Sequence, residues 1–296
     1  MEKIFYIIEK DMLIEDFFEE IEISRRFLSR LFREKHIKIN GKDSKKNLEL
    51  KKGDRIEIFI EDEVSEVEPE DMDLDIVYED EDLIAINKPT FMVVHQTKNH
   101  FVGTLSNGIQ NYFNKIGLKR KIRLVNRLDR DTSGLLLVAK NSFAHQQLSL
   151  MNEREEIIKE YLAVVNGIVK DDDGVIDLPI DRPSARDIRR EILKEGKEAL
   201  THYKVLERME NSTILILRII TGRTHQIRVH LNHIGHPIIG DSLYFKESEL
   251  INRQALHSYH MKFQTVRDRR EVEIFADLPD DIKFLINSLK GERNSS

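Results

Sequence analysis

Apolar residues fall along this chain in short bursts of two different periods. Near the amino terminus, LIEDFFEEI (residues 13–21) and SRRFLSRLFREKHI (residues 24–37) repeat at helical spacing. In the second segment Phe27, Leu28, Leu31 and Phe32 form one stripe and Arg26, Arg30 and Arg33 another, with Ser24 placed to cap the helix. IKINGK and LKKGDRIEIFI alternate with a period of two about Asn-Gly and Gly-Asp turn signals, and read as strands. Further on, IVYEDEDLIAINKP reads as strand, polar turn and strand closed by Pro89, and a helix is expected over 104–113. The unbroken apolar run 134–139 predicts a buried strand, 143–153 a helix, and IKEYLAVVNGIV another strand. LTHYKVLERMENSTILILRII predicts a hairpin about Glu210-Asn211-Ser212, and KFQTVRDRREVEIF a second one. Hairpins interspersed with scattered helices favour an α+β fold around a largely antiparallel, mixed sheet over a doubly wound one. No internal repeat or low-complexity tract interrupts it.

At 296 residues the chain can hold one large domain and a small one. It has no cysteine, which excludes disulfides, thiolate nucleophiles and zinc–thiolate sites. No apolar run approaches the roughly 20 residues a membrane-spanning helix needs, and Phe5 to Ile8 is too short for a signal-peptide core, so a cytoplasmic protein is expected. The net charge of -6 conceals a division: residues 61–82 hold 13 Asp or Glu and no Lys or Arg, leaving 47 basic and 40 acidic groups elsewhere. From Arg25 to Arg55 there are 12 basic residues against 4 acidic ones, a surface suited to a polyanion or simply to solvent. The acidic, Pro69-containing stretch 63–73 reads as a linker between a domain at 11–62 and another at 74–290.

Three segments are more polar than core elements require. In VNRLDRDTSGLLLVAK, Asp129 lies between Arg127 and Arg130, ahead of a turn built from Asp131, Thr132 and Ser133. Neighbouring guanidinium groups favour its ionised form, so Asp129 is expected as a nucleophile or electrostatic group rather than a general acid. In IIKEYLAVV, Tyr161 alternates with apolar neighbours, as a core tyrosine would, and could also touch a base if a pocket lies there. In TGRTHQIRVHLNHIGHPIIGDSLY, Thr224 can cap a helix ended by Gly235 and Pro237, with Ile227, Leu231 and Ile234 on one face and Arg228 and Asn232 on another. His225, His230, His233 and His236 lack the i, i+4 pairing of a zinc-binding helix, so packing and hydrogen bonding are their expected roles and no metal is expected.

R-L-D-R-D-T-S-G-L, K-E-Y, T-G-R-T-H-Q-I-R-V-H and G-H-P-I-I-G-D, in that order, resemble the RluA/RluD family of RNA pseudouridine synthases from about Asp73 to Pro279. S-R-R, I-K-I-N-G-K and G-D-R-I upstream resemble the S-four-type RNA-binding domain that commonly precedes that catalytic domain. The resemblance implies cofactor-free isomerisation of uridine to pseudouridine in ribosomal or transfer RNA by a protein expected to be a monomer. It implies Asp129 as nucleophile, attacking either the sugar carbon or the uracil ring, with Arg228 as its cationic partner and Tyr161 against the target ring. Arg127 would fill the space the flipped base leaves, with Arg130, Arg223, His225 and Gln226 also binding substrate. In the amino-terminal domain Ser24, Arg25, Arg26, Arg30, Arg33, Lys35, Lys38, Asn40 and Lys42 would contact RNA. One position departs from the family pattern: Asn126 stands where a His commonly precedes Arg-Leu-Asp. Two rival readings stand beside the isomerase: an RNA-binding module without catalysis, and a nucleoside or glycoside hydrolase using Asp129 with Asp131.

Overall fold

A computed structural model describes residues 2–96 and 101–291. In the amino-terminal unit, β1 (Glu2–Ile7) and β2 (Met12–Leu13) precede α1 (Ile14–Glu20) and α2 (Arg25–Arg33). Then come β3 (Ile37–Ile39), β4 (Lys42–Asp43), β5 (Glu49–Leu50) and β6 (Arg55–Ile60). The main body runs β7 (Ile76–Glu79), β8 (Leu83–Lys88), α3 (Leu105–Lys115), β9 (Arg123–Leu124), β10 (Ser133–Ala139), α4 (Ser142–Glu153) and β11 (Ile158–Asn166). It continues through β12 (Asp173–Asp177), the small hairpin β13 (Ile180–Asp181) and β14 (Glu191–Ile192), then β15 (Leu200–Arg208) and β16 (Ser212–Ile219). α5 (Gln226–His233), β17 (Leu256–Gln264), β18 (Glu271–Phe275) and α6 (Asp280–Gly291) complete it. The expected α+β class is borne out. A ten-stranded sheet orders its main path β12-β15-β16-β11-β17-β10-β8-β7, with β18 on β17 and β9 on β10.

All of these pairings are antiparallel except β10 with β17, which run parallel and share only Ser133↔His257 and Gly134↔Ser258. The sheet parts just beyond this contact, and the loop entering β10 lies at the opening. Both faces of β10 are covered, which is why its sequence is apolar without alternation. Leu135, Leu137 and Ala139 join one core with Phe143, Met261 and Phe263, while Leu136 and Val138 join the other with Ile109, Phe113 and Leu285.

The first of these cores extends into the amino-terminal unit, taking in Ile4, Phe18, Leu31 and Ile58. The unit is therefore docked on the body, not tethered to it. Polar contacts rim the junction: Gln147 donates to the Ile21 carbonyl at 2.9 Å, Gln146 to that of Glu22 at 2.7 Å, and Arg267 bridges Glu2 and Asp82. Strand β1, which holds the apolar residues Phe5 to Ile7, pairs with β6 along its whole length, so the unit begins before residue 11. Helix α2 ends at Arg33 rather than running to Ile37, because Lys35 takes a left-handed conformation (φ 55°) and turns the chain into β3. Asn40 and Gly41, both with positive φ, make the two-residue turn between β3 and β4 that the Asn-Gly signal predicts.

The acidic stretch expected as a loose linker is a strap bonded to the body. Glu63 N–H donates to the Lys119 carbonyl (2.9 Å) and its carboxylate holds Arg123 (2.6 Å). Asn107 at the start of α3 clasps the Glu68 carbonyl (2.8 Å), and Asp71 meets Lys115 (2.7 Å).

Gly134 has φ +108°, and a Cβ there would lie 2.1 Å from the Ser258 carbonyl oxygen, the contact that joins β10 to β17. Gly134→Ala is expected to lower unfolding free energy by about 3 kcal/mol or more, measured by urea titration, since neither backbone can yield.

Candidate active site

The segment 125–132 crosses the opening of the sheet. Val125 N–H bonds to the Leu137 carbonyl (2.9 Å), and the Asn126 amide continues the pairing by accepting from Leu137 N–H (2.8 Å) and donating to the Leu135 carbonyl (3.3 Å). The residue that departs from the family pattern thus staples the segment to β10. Beyond it, the loop is held by its own carbonyls. The buried Lys88 ammonium donates to those of Pro89 (2.8 Å), Met92 (3.2 Å) and Arg130 (2.9 Å), and the Arg253 guanidinium reaches that of Asp131 (3.2 Å). Arg253 is itself paired with Asp281 of α6 at 2.6 Å. Burial pushes the Lys88 amine down to about 7.

This support turns Asp129 towards α5. Arg228 Nη1 donates to Asp129 Oδ2 at 2.9 Å, while its Nε and Nη2 form a fork on Asp241 at 2.7 and 2.8 Å. Side-chain exposure falls from 27% at Asp129 to 8% at Arg228 and 1% at Asp241, so one end of this charged chain is open and the other sealed. Burial disfavours the Arg228 cation, but the two carboxylates outweigh it and raise its pKa. The cation at Asp129 is therefore Arg228 and not a sequence neighbour: Arg130 turns outward and pairs with Asp131 at 2.7 Å.

Around Asp129 lies a pocket of about 190 Å³ whose lining includes Arg127, Leu128, Lys159, Tyr161, Arg223, His225, Ile227 and Leu256. Tyr161 lies opposite a bulge in β17, where Tyr259 is the extra residue between the pairs Glu160↔His260 and Tyr161↔Ser258; it is buried beside Ser258, and its hydroxyl pKa is raised by that burial. Lys159 donates to Asn152 Oδ1 at 2.5 Å, and burial brings its amine down to about 8. Arg127 is exposed at the rim. Arg223 also lies at the rim, with Nε on the Glu198 carbonyl (2.8 Å).

The entry to α5 differs from expectation. Thr224 is not the cap; His225 is, in the left-handed conformation (φ 59°), and its side chain makes no cap bond. Gln226, expected to meet substrate, spends its amide on the fold. Its oxygen accepts from Thr221 (2.7 Å) and Arg223 N–H (3.0 Å), and its nitrogen donates to the Leu200 carbonyl (2.9 Å) and Thr201 (3.0 Å). The four histidines of this region face different neighbours: His230 lies between Thr201 and the Leu178 carbonyl, and His236 meets the Asn166 carbonyl. Among the described residues, the one group of three His, Asp or Glu with converging ligand atoms is Glu34, His36 and Glu61, in the amino-terminal unit.

There, Ser24 accepts from Phe27 N–H (3.3 Å) as the cap of α2, and Asn40 braces the turn against Asp54 (2.8 Å) and Arg55 N–H (2.9 Å). Lys38 rests over the Phe59 ring, and Arg25, Arg26, Lys35 and Lys42 are exposed. Arg26, Arg30 and Arg33 line a groove between α2 and α4 whose other wall carries Arg123, Ser142 and His145. Sequence reasoning did not single out Asp241, Tyr244, Lys88, Lys159 or Arg253. Of these, Asp241 and Lys159 stood inside motifs, as the last letter of G-H-P-I-I-G-D and the first of K-E-Y.

Residues 82–233 match the family described as RNA pseudouridylate synthase, and the chain belongs to that family: it is an RNA pseudouridine synthase. It is 39% identical over 276 residues to an uncharacterised RNA pseudouridine synthase of Bacillus subtilis, YlyB, covering 92% of this chain and 91% of the relative. It is 38% identical to ribosomal large subunit pseudouridine synthase D of Haemophilus influenzae, over 81% and 78% of the two chains. Among solved structures, human RNA pseudouridylate synthase domain containing 1 superposes with a TM-score of 0.58 at 26% identity, over 73% of this chain and 94% of the human one.

Asp241→Asn would leave Arg228 buried with only half of its counter-charge. The substitution is expected to cost about 3 kcal/mol in unfolding free energy and to reduce turnover sharply although Asp241 is sealed from the pocket. Parallel urea titration and single-turnover assays check both.

Proposed function

We propose that the protein converts specific uridines of ribosomal RNA to pseudouridine with Asp129 as nucleophile. The observation that carries this is a partly exposed carboxylate at a base-sized pocket, bound to a buried arginine that orients it and supplies its counter-charge. Asp129 attacks the flipped nucleotide, the N1–C1′ bond breaks, the freed uracil rotates, C5 bonds to C1′, and the bond to Asp129 breaks to return the free carboxylate. C5 gives up a proton and N1 takes one, so no atom or electron is gained and no cofactor or metal is called for. Tyr161 forms the wall against which the uracil lies, and Arg127 occupies the stack it has left. The ribosomal substrate is supported by the relative named ribosomal large subunit pseudouridine synthase D. On the same reading the protein acts as a monomer on cytoplasmic RNA; no helix among the described residues is long and apolar enough to cross a membrane.

The amino-terminal unit serves, on this reading, as an S-four-type RNA-binding domain. Its docking brings the α2 arginines into one groove with Arg123, two residues before Val125 begins the lining of the Asp129 pocket. RNA held there is led to the pocket along the segment 123–129. Removing the unit would strip an apolar core, so its role is better tested by charge than by deletion. Arg26→Ala with Arg33→Ala should weaken RNA binding and lower the slope of log K against log salt by about 2, one for each phosphate that is no longer neutralised. An unchanged slope would mark these arginines as a solvated surface.

Mapping pseudouridines in ribosomal and transfer RNA from cells with and without the protein tests the substrate. Asp129→Asn should abolish pseudouridine formation while RNA affinity, followed by filter binding, stays within about twofold. Pseudouridine made by the pure variant, or release of free uracil by the wild type, would overturn the assignment.

A further inference from the structure

The hydroxyl of Tyr244 has two neighbours. It accepts the backbone N–H of Arg190, just before β14, at 2.8 Å, and it lies 2.9 Å from Nδ1 of His225. Among the described residues it has no other hydrogen-bond partner, so with the Arg190 N–H already accepted its own proton is placed for donation to Nδ1. A neutral imidazole that accepts at Nδ1 carries its proton on Nε2. That nitrogen lies 3.8 Å from Asp129 Oδ2, beyond hydrogen-bond range, so the carboxylate does not consume the N–H. His225 lines the pocket, and the N–H is left for whatever enters beside Asp129.

The ring has little freedom to do otherwise. His225 stands in a left-handed conformation at the entry to α5, packs edge-on against Tyr244 (centroids 5.6 Å, planes at 81°), and shares that tyrosine with the Arg228 guanidinium, 5.0 Å from its ring centroid. We infer that Tyr244 is a positioning residue that holds His225 as the Nε2-protonated tautomer, whose N–H donates to a carbonyl oxygen of the target uracil. The inference rests on the isomerase reading above. Whether Asp129 attacks the sugar or the ring, negative charge collects on a uracil oxygen, and a fixed donor beside it stabilises the transition state more than the ground state. Burial supports the assignment by lowering the His225 pKa, against the opposing influence of Asp129, so the ring is kept neutral. The hairpin β13–β14 thereby acquires a part in the chemistry, since the Arg190 N–H is what commits the tyrosine proton to His225.

Nitrogen-15 spectra of imidazole-labelled full-length protein, without RNA, read the tautomer directly. The wild type should show the His225 Nε2-protonated form alone, and Tyr244→Phe, which keeps both ring contacts, should show a mixture of tautomers. Single-turnover assays on a ribosomal RNA transcript should then find the rate of Tyr244→Phe down by about tenfold with apparent RNA affinity unchanged. His225→Ala should lose about a hundredfold, and His225→Gln, which restores an N–H near the Nε2 position, should recover part of it. A wild-type Nδ1-protonated ring, an unaltered tautomer in Tyr244→Phe, or a His225→Ala rate equal to wild type would overturn the inference. Because the spectra need no turnover, failure of the wild type to make pseudouridine would sink the isomerase reading separately. Should Tyr244→Phe not fold, the wild-type tautomer and the His225→Ala and His225→Gln pair still decide the matter.

Discussion

Arg228 is a guanidinium in the interior, and much of the catalytic body exists to make that tolerable. A buried cation must find its counter-charge and hydrogen-bond partners in the protein, because water cannot supply them. Asp241 takes two of its donors behind the site and Asp129 a third in front. The sealed carboxylate fixes where the arginine sits, and the arginine fixes where the open carboxylate points. Asp129 is then paired, aimed and reachable at once, a combination a surface aspartate lacks.

The backbone around this triad is built to the same end. A short parallel contact between β10 and β17 leaves a mouth in an otherwise antiparallel sheet, and the Asp129 loop spans it. Two buried cations, Lys88 and Arg253, hold the loop by its carbonyls and not by its side chains. The polar side chains of the loop remain free to face outward or towards α5, while burial and charge pairing keep its path rigid.

Docking of the amino-terminal unit follows from the same sheet. Strand β10 is apolar on both faces, and one of them would meet water if α4 and the amino-terminal unit did not share a core with it. Covering that face sets α2 beside α4 and turns two separate basic helix and strand ends into one groove. The acidic strap meets Lys115, Arg123 and the amide of Asn107 on the body, so a charge pattern that suggests a flexible tether is consumed in local contacts.

Much of this was legible along the chain, because strands and helices declare themselves in local periodicity and turns in Asn, Gly and Asp. The strands β7, β8, β10, β11, β15 to β18 and helices α1 to α4 fall where the patterns put them. The motifs carrying Asp129, Tyr161 and Arg228 marked the polar segments that meet at the pocket. The sequence alone determined an α+β protein of the pseudouridine synthase family with a basic amino-terminal unit. Tertiary structure alone decided which charges pair. Arg127 and Arg130 are the guanidinium groups nearest Asp129 in sequence, the family resemblance implied Arg228, and the crossing of α5 over the loop is what sets Arg228, 99 positions away, against the carboxylate. It also decided that Gln226 and Asn126 brace backbone, that Asp241 and Tyr244 belong to the site, and that β1 completes a sheet. Contact between residues far apart in sequence depends on how whole elements pack, and local periodicity, which reports only the face each element buries, carries no information about that.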